Sequence, residues 1–184
     1  MKKQLLVLAT STILLLASCG GGNKEGATQT TDSSKETSGA TLLADDGPKY
    51  DKTAIDPKAT VTELTLKATG ASMAEMKYDQ STLTVPAGST VKLTFISEAT
   101  DPSMPHNWVL IRKGSLERIA QKGLEAGADK NYIPNDDDIL VFGNLLKPGE
   151  KEEIVFPAPP AGEYQFVCTY PGHSQKMQGV FIVK

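Results

Sequence analysis

Only a few residues of this 184-residue chain can do metal or nucleophile chemistry, and they are grouped. Both histidines, one of the two cysteines and two of the five methionines fall in two short segments, Met104-Pro105-His106-Asn107-Trp108 and Cys168-Thr169-Tyr170-Pro171-Gly172-His173-Ser174-Gln175-Lys176-Met177. Cys168, His173 and Met177 stand at the spacing Cys-x4-His-x3-Met, and His106 lies far upstream. A thiolate and a thioether suit Cu(I), whereas imidazole suits both copper oxidation states, so this mixture can hold one ion through a change of charge. A turn carrying three ligands can wrap a metal, and a fourth ligand at the start of a core strand fixes it to a rigid frame. Taken singly, Cys168 would be a small core hydrophobe, His106 a satisfied core histidine and Met177 packing; their grouping is what favours ligation.

The elements that must position these residues read as strands. From Val61 to Ala68 the sequence alternates with period two, and further short candidates follow at Ser81–Val85, Ser89–Ile96, Asn107–Arg112, Ile139–Phe142, Glu152–Phe156, Gly162–Cys168 and Gly179–Val183. Pro86-Ala87-Gly88, Lys147-Pro148-Gly149 and Ala158-Pro159-Pro160-Ala161-Gly162 are turns that pair a φ-fixing proline with a permissive glycine. Eight short strands so punctuated predict an all-β, eight-stranded Greek-key sandwich. One helical excursion interrupts it, from Ser115 to Lys122, with Leu116, Ile119 and Ala120 on one face and Gly123 as its stop. Trp108 is expected in the core.

The N-terminus reads as an address. Lys2-Lys3, the apolar run Leu5 to Leu16 and the small-residue sequence Leu16-Ala17-Ser18-Cys19 make a secretory signal over residues 1–18. The run is short of the roughly 20 residues needed to span a bilayer. The Leu-Ala-Ser-Cys sequence resembles the bacterial lipobox, which implies cleavage before Cys19 and its lipidation. Residues 19–57 are rich in Gly, Thr, Ser, Lys, Glu and Asp, and such a segment is expected to be a flexible tether spanning roughly 30–35 Å. Within it Leu42, Leu43 and Tyr50 are the residues able to dock. Residues 58–184 form the folded domain. The product is thus expected outside the cytoplasm, lipid-anchored to a bacterial membrane and facing the periplasm or the exterior, where an unligated, unshielded free thiol is a liability.

The formal net charge is −3, from 19 Lys+Arg and 22 Asp+Glu, so no basic excess exists to neutralise a phosphate backbone, and nucleic acid is not expected as a partner. Two histidines exclude sites needing three or more, and with them multi-zinc and multicopper catalysis. Asp136-Asp137-Asp138 lacks the spaced ligands of a calcium loop and reads as a solvated loop.

His106-Asn107-Trp108-Val109-Leu110, together with Cys168-Thr169-Tyr170-Pro171-Gly172-His173 and Met177, resembles the azurin and auracyanin type of blue copper protein, the single-domain cupredoxins, over about residues 60–184. The resemblance implies one copper ion with His106, Cys168 and His173 as equatorial ligands and Met177 as a weak axial one. It implies that backbone N–H groups of Asn107 and Tyr170 donate to the Cys168 sulfur, which would raise the potential, because withdrawing charge from a thiolate favours the reduced metal. It further implies that His173 is the solvent-facing electron port, ringed by a docking patch for transient redox partners. Candidates for that patch are Met76, Met104, Pro105, Pro171 and Gly172, with Met76 and Met104 equally open to a core role. Three departures stand out: Pro105 replaces the glycine that precedes the first ligand in azurins, leaving a four-coordinate site; no cysteine pair remains for a disulfide; and there is no third histidine.

The expected activity is one-electron transfer by a membrane-tethered monomer, without enzymatic bond-making. Its chief alternative is a periplasmic copper carrier, which would exchange copper readily. A Cys-His nucleophile lacks oxyanion and substrate features, and a structural zinc site seldom uses methionine.

Overall fold

The computed structural model describes residues 49–184. Residues 1–18, expected to be a signal, Cys19 and residues 20–48, with Leu42 and Leu43, lie outside the described residues. Among the described residues nine strands and one α-helix run in the order β1 Val61–Thr69, β2 Lys77–Tyr78, β3 Thr82–Val85, β4 Thr90–Ser97, β5 Val109–Arg112, α1 Leu116–Ala126, β6 Ile139–Phe142, β7 Lys151–Pro157, β8 Gly162–Val167 and β9 Gln178–Val183. The strands make a four-stranded sheet in the order β2-β1-β4-β7 and a five-stranded one in the order β3-β9-β8-β5-β6. All eight strands expected from the sequence are present. The ninth, β2, has only two residues and pairs with the end of β1, Ala68 opposite Tyr78, too short to leave a periodicity.

Two pairings are parallel. β1 lies along β4 from Val61 opposite Thr90 to Ala68 opposite Ser97, and β3 lies along β9 from Thr82 opposite Val180 to Val85 opposite Val183. The remaining neighbours are antiparallel. Between the sheets the inward positions supply Trp108, Phe95, Phe156, Phe166 and Phe181, all fully buried. Trp108 stacks at a tilt on Phe156, 5.8 Å between centroids, and Phe156 on Phe181 at 6.2 Å, separations at which aromatic pairs attract beyond their area burial.

The alternate residues of β5 and β8 face the other way and are equally dry, because α1 covers them. Val109, Ile111 and Val167 form a second cluster with Leu116 and Ile119 of the helix, each such side chain contributing about 1.5–3 kcal/mol on burial. The helix runs one turn past its expected stop. Gly123 lies inside it and is buried, at a point where an added Cβ would come within 2.7 Å of the Tyr132 carbonyl oxygen; the glycine permits close approach and does not end the helix. Upstream of β1, Tyr50 packs against the main core cluster and its Oη donates to the Pro157 carbonyl at 2.7 Å, so ordered contacts begin before residue 58.

Gly179 in β9 faces the ring of Phe166 so closely that any Cβ would overlap it. Gly179→Ala is expected to lower the unfolding free energy by roughly 1–3 kcal/mol, as overpacking does. Denaturant unfolding of the metal-free protein checks this, and an unchanged midpoint would contradict it.

Candidate metal centre

The site lies where β5 begins and β8 ends. His106 precedes β5 and is held by a two-way bridge, its N–H donating to the Leu146 carbonyl at 2.9 Å and the Leu146 N–H donating back at 2.8 Å. Cys168 follows β8, and its N–H donates to the carbonyl of Met177 at 2.9 Å, closing the loop that joins β8 to β9. Inside that loop Pro171-Gly172 makes a tight turn. Pro171 fixes its own φ, Gly172 takes φ 79°, and the His173 N–H reaches the Tyr170 carbonyl at 3.1 Å, the pattern of a type II turn that needs glycine in its third position. The His173 carbonyl then accepts from the N–H groups of both Lys176 and Met177, at 3.0 and 2.9 Å.

This framework brings together three donor atoms from distant parts of the sequence. His173 Nδ1 lies 3.2 Å from His106 Nδ1 and 3.7 Å from Cys168 Sγ, and the ligand-type atoms of the three residues all fall within 4.8 Å of one another. Imidazole nitrogens about 2.0 Å and a thiolate about 2.3 Å from a shared ion stand roughly 3.3–3.8 Å apart from one another at trigonal to tetrahedral angles. All three residues are 0% exposed. Neither histidine Nε2 has a hydrogen-bond partner among the described residues; it is the two Nδ1 atoms and the Cys168 sulfur that converge. The donor set therefore fits a metal ion.

The surroundings set the electrostatics. Burial pushes the Cys168 thiol up to about 11, opposed by backbone N–H groups of Asn107 and Tyr170 that donate to its sulfur. At neutral pH the metal-free thiol keeps its proton, and a bound cation would displace it. A buried, protonated thiol is also a poor nucleophile, which weighs against a Cys-His enzyme. Burial lowers both histidines to about 4, with His106 further lowered by His173. The Asn107 side chain ties the two ligand segments together: its Oδ1 accepts from the Thr169 N–H at 2.9 Å, and its Nδ2 donates to Thr169 Oγ1 at 2.9 Å and to the Asn131 carbonyl at 3.0 Å. Tyr78 Oη secures the Asn107 carbonyl at 2.7 Å.

Residues 64–184 match the family model described as copper binding proteins, plastocyanin/azurin family. The chain belongs to this family. It is 39% identical over 117 residues to auracyanin-A of Chloroflexus aurantiacus, covering 62% of this chain and 71% of that one, and 32% identical over 117 residues to azurin of Pseudomonas chlororaphis, covering 60% and 91%. The solved structure of auracyanin A, titled a "blue" copper protein, superposes with a TM-score of 0.60 at 35% identity, over 67% of this chain and 99% of that one. The protein is a blue copper cupredoxin of an electron-carrier family, and His106, Cys168 and His173 form its candidate ligand group for a single type 1 copper ion.

Several expected site residues sit differently. Met76 and Met104 are only 3% exposed and are not part of a surface patch. Turns fold both inward: the N–H of Met76 reaches the Ser72 carbonyl, and that of Met104 the Asp101 carbonyl. His173 is likewise covered and not solvent-facing. The apolar side chain that does reach the surface here is Met73, 49% exposed, with its methyl 3.2 Å from where a Cβ on Gly172 would lie; no periodicity separates it from Met76. Pro105 and Pro171 are half-buried and Gly172 is exposed. Met177 is fully buried, in the main core cluster. The acidic loop is occupied by cations of α1, since Asp136 accepts from Lys122 Nζ at 2.7 Å and from Arg118, which also reaches Asp138.

Both histidines bind protons less readily folded than unfolded, where an ordinary value near 6.5 applies. The unfolded chain then holds more protons between about pH 4 and 6.5, so stability rises with pH across that window and is lost as pH falls through it. The metal-free protein is expected to lose about 3 kcal/mol per histidine at most on going from pH 7 to pH 4. Denaturation midpoints across this range check it, and a flat profile would contradict it.

Proposed function

We propose that this protein is an exported, lipid-anchored one-electron shuttle, not an enzyme, with Met177 completing the ligand set of His106, Cys168 and His173. The observation that carries the reading is the convergence of two imidazoles and one thiol, fully buried, at one end of a rigid sandwich. Copper, when bound, supplies a one-electron couple. The chain's own residues keep water and foreign ligands away, since nothing at the three donors is open to solvent. They also hold the donors still, so that little needs to move when the charge changes. The amides of Asn107 and Tyr170, aimed at the Cys168 sulfur, draw charge from the thiolate and favour the reduced state.

Met177 is supported as the weak fourth ligand by its Cys-x4-His-x3-Met spacing and by its complete burial in the core cluster that also holds Cys168. The partners are transient redox proteins docking on the exposed surface formed by Met73 and Gly172, next to Pro171. A copper carrier needs ligands that open readily, and the full burial of all three speaks for the shuttle. The lipobox-like Leu16-Ala17-Ser18-Cys19 supports the anchor.

The domain loaded with Cu(II) is expected to show an intense thiolate-to-copper band near ~600 nm and a reversible one-electron wave in voltammetry, with Cys168→Ser abolishing the band. A colourless protein, or one that sheds copper on cycling, would sink the shuttle and promote the carrier. The full chain expressed in a bacterium should fractionate with membranes, and Cys19→Ala should leave it soluble; an unchanged membrane fraction would refute the anchor.

A further inference from the structure

Next to the metal loop lies a second loop that supplies no ligand. It follows α1 and holds two successive non-glycine residues in the left-handed region, Asn131 with φ 52° and Tyr132 with φ 59°. Such residues persist only where their surroundings impose the conformation, and they gather at functional sites. Here the surroundings are explicit. The N–H groups of Asn131 and Tyr132 donate to the carbonyls of Ala128 and Gly127, at 2.9 and 3.0 Å, and Gly123 of α1 leaves room for the Tyr132 carbonyl.

The loop touches both ligand segments. The Asn131 carbonyl accepts from the side chain of Asn107, beside His106, at 3.0 Å. The Tyr132 ring meets that of Tyr170 edge-on, 5.0 Å between centroids at 75°. Tyr170 in turn stands 4.7 Å from the His173 imidazole, which lies 4.9 Å from that of His106. A row of four rings thus leads from half-buried Tyr132 into the metal centre.

We infer that Tyr132 is a positioning residue for His173, acting through the ring of Tyr170. The inference rests on reading His106, Cys168 and His173 as metal ligands. Metal-bound imidazoles are usually oriented by a hydrogen bond from their second nitrogen, but His173 Nε2 has no such partner among the described residues. What the described residues give that ring is packing, and Tyr170 is its aromatic neighbour. Tyr170 also lines a groove of about 380 Å³ between α1 and residues 169–175, which leaves it space to swing away. Tyr132 braces it, and the left-handed backbone is what aims Tyr132 at that ring.

Tyr132→Gly and Tyr132→Asn remove the ring while keeping residues tolerant of the left-handed conformation, and Tyr132→Phe keeps the ring. Each variant is loaded with Zn²⁺ and challenged with a chelator, and the His173 ring resonances are recorded in the metal-free protein. The ringless variants should release zinc roughly tenfold faster, the lower end of what loss of an outer-shell partner does, and shift or broaden the His173 resonances. Tyr132→Phe should match the parent. Release rates and resonances equal to the parent in both ringless variants, or a phenylalanine variant that fails as they do, would overturn the inference. Loss of the fold in both ringless variants would overturn it too, by making Tyr132 a purely structural residue. A parent that binds neither zinc nor copper would overturn the metal reading along with it, whereas a metal-binding parent with unaffected variants overturns this inference alone.

Discussion

Two imidazole nitrogens 3.2 Å apart, with a thiol sulfur 3.7 Å from one of them and no water access to any, form an arrangement that a protein does not reach by collapse alone. Burial disfavours charge on all three groups, lowering both histidines and raising the cysteine. The rest of the fold has to hold that arrangement together until a cation relieves it. A bound ion takes up the lone pairs and the thiolate charge, so metal binding and stability are coupled.

The holding is done by backbone geometry more than by any single side chain. His106 is locked by a two-way bridge to Leu146, Cys168 by its bond to the Met177 carbonyl, and His173 by a proline-glycine turn. Asn107 then ties the upstream ligand to the downstream loop through two hydrogen bonds to Thr169, and to the loop after α1 through a third, to the Asn131 carbonyl. Beneath them the aromatic core around Trp108 and the helix packed on Val109, Ile111 and Val167 make β5 and β8 stiff on both faces. A site so supported changes little when one electron arrives or leaves, which is the physical requirement of a carrier.

The ligands were legible in the sequence because metal chemistry restricts residue type and spacing together: a chain with two histidines and two cysteines leaves few ways to build such a site. The strands were legible where alternation ran for four residues or more. Other features left no local signal. Met73 and Met76 are near neighbours of the same type, and only the turn that carries the Met76 N–H to the Ser72 carbonyl decides that one faces solvent and the other the core. Gly123 reads as a helix stop, yet a tertiary close approach, invisible in one dimension, places it inside the helix. Tyr50 lies in a polar stretch that composition assigns to the tether, but its ring docks beside Pro157. The ring row from Tyr132 to His173 joins residues 41 positions apart, and nothing short of the fold reveals it.

The central claim, that these three residues hold one copper ion between them, is tested most directly by X-ray absorption at the copper edge of the loaded protein. The account predicts one sulfur scatterer near about 2.3 Å and two imidazole nitrogens near about 2.0 Å, the bond lengths of such ligands to a divalent ion, with the sulfur lost in Cys168→Ser. A copper ion surrounded only by oxygen and nitrogen, or one that keeps its sulfur in that variant, would contradict it.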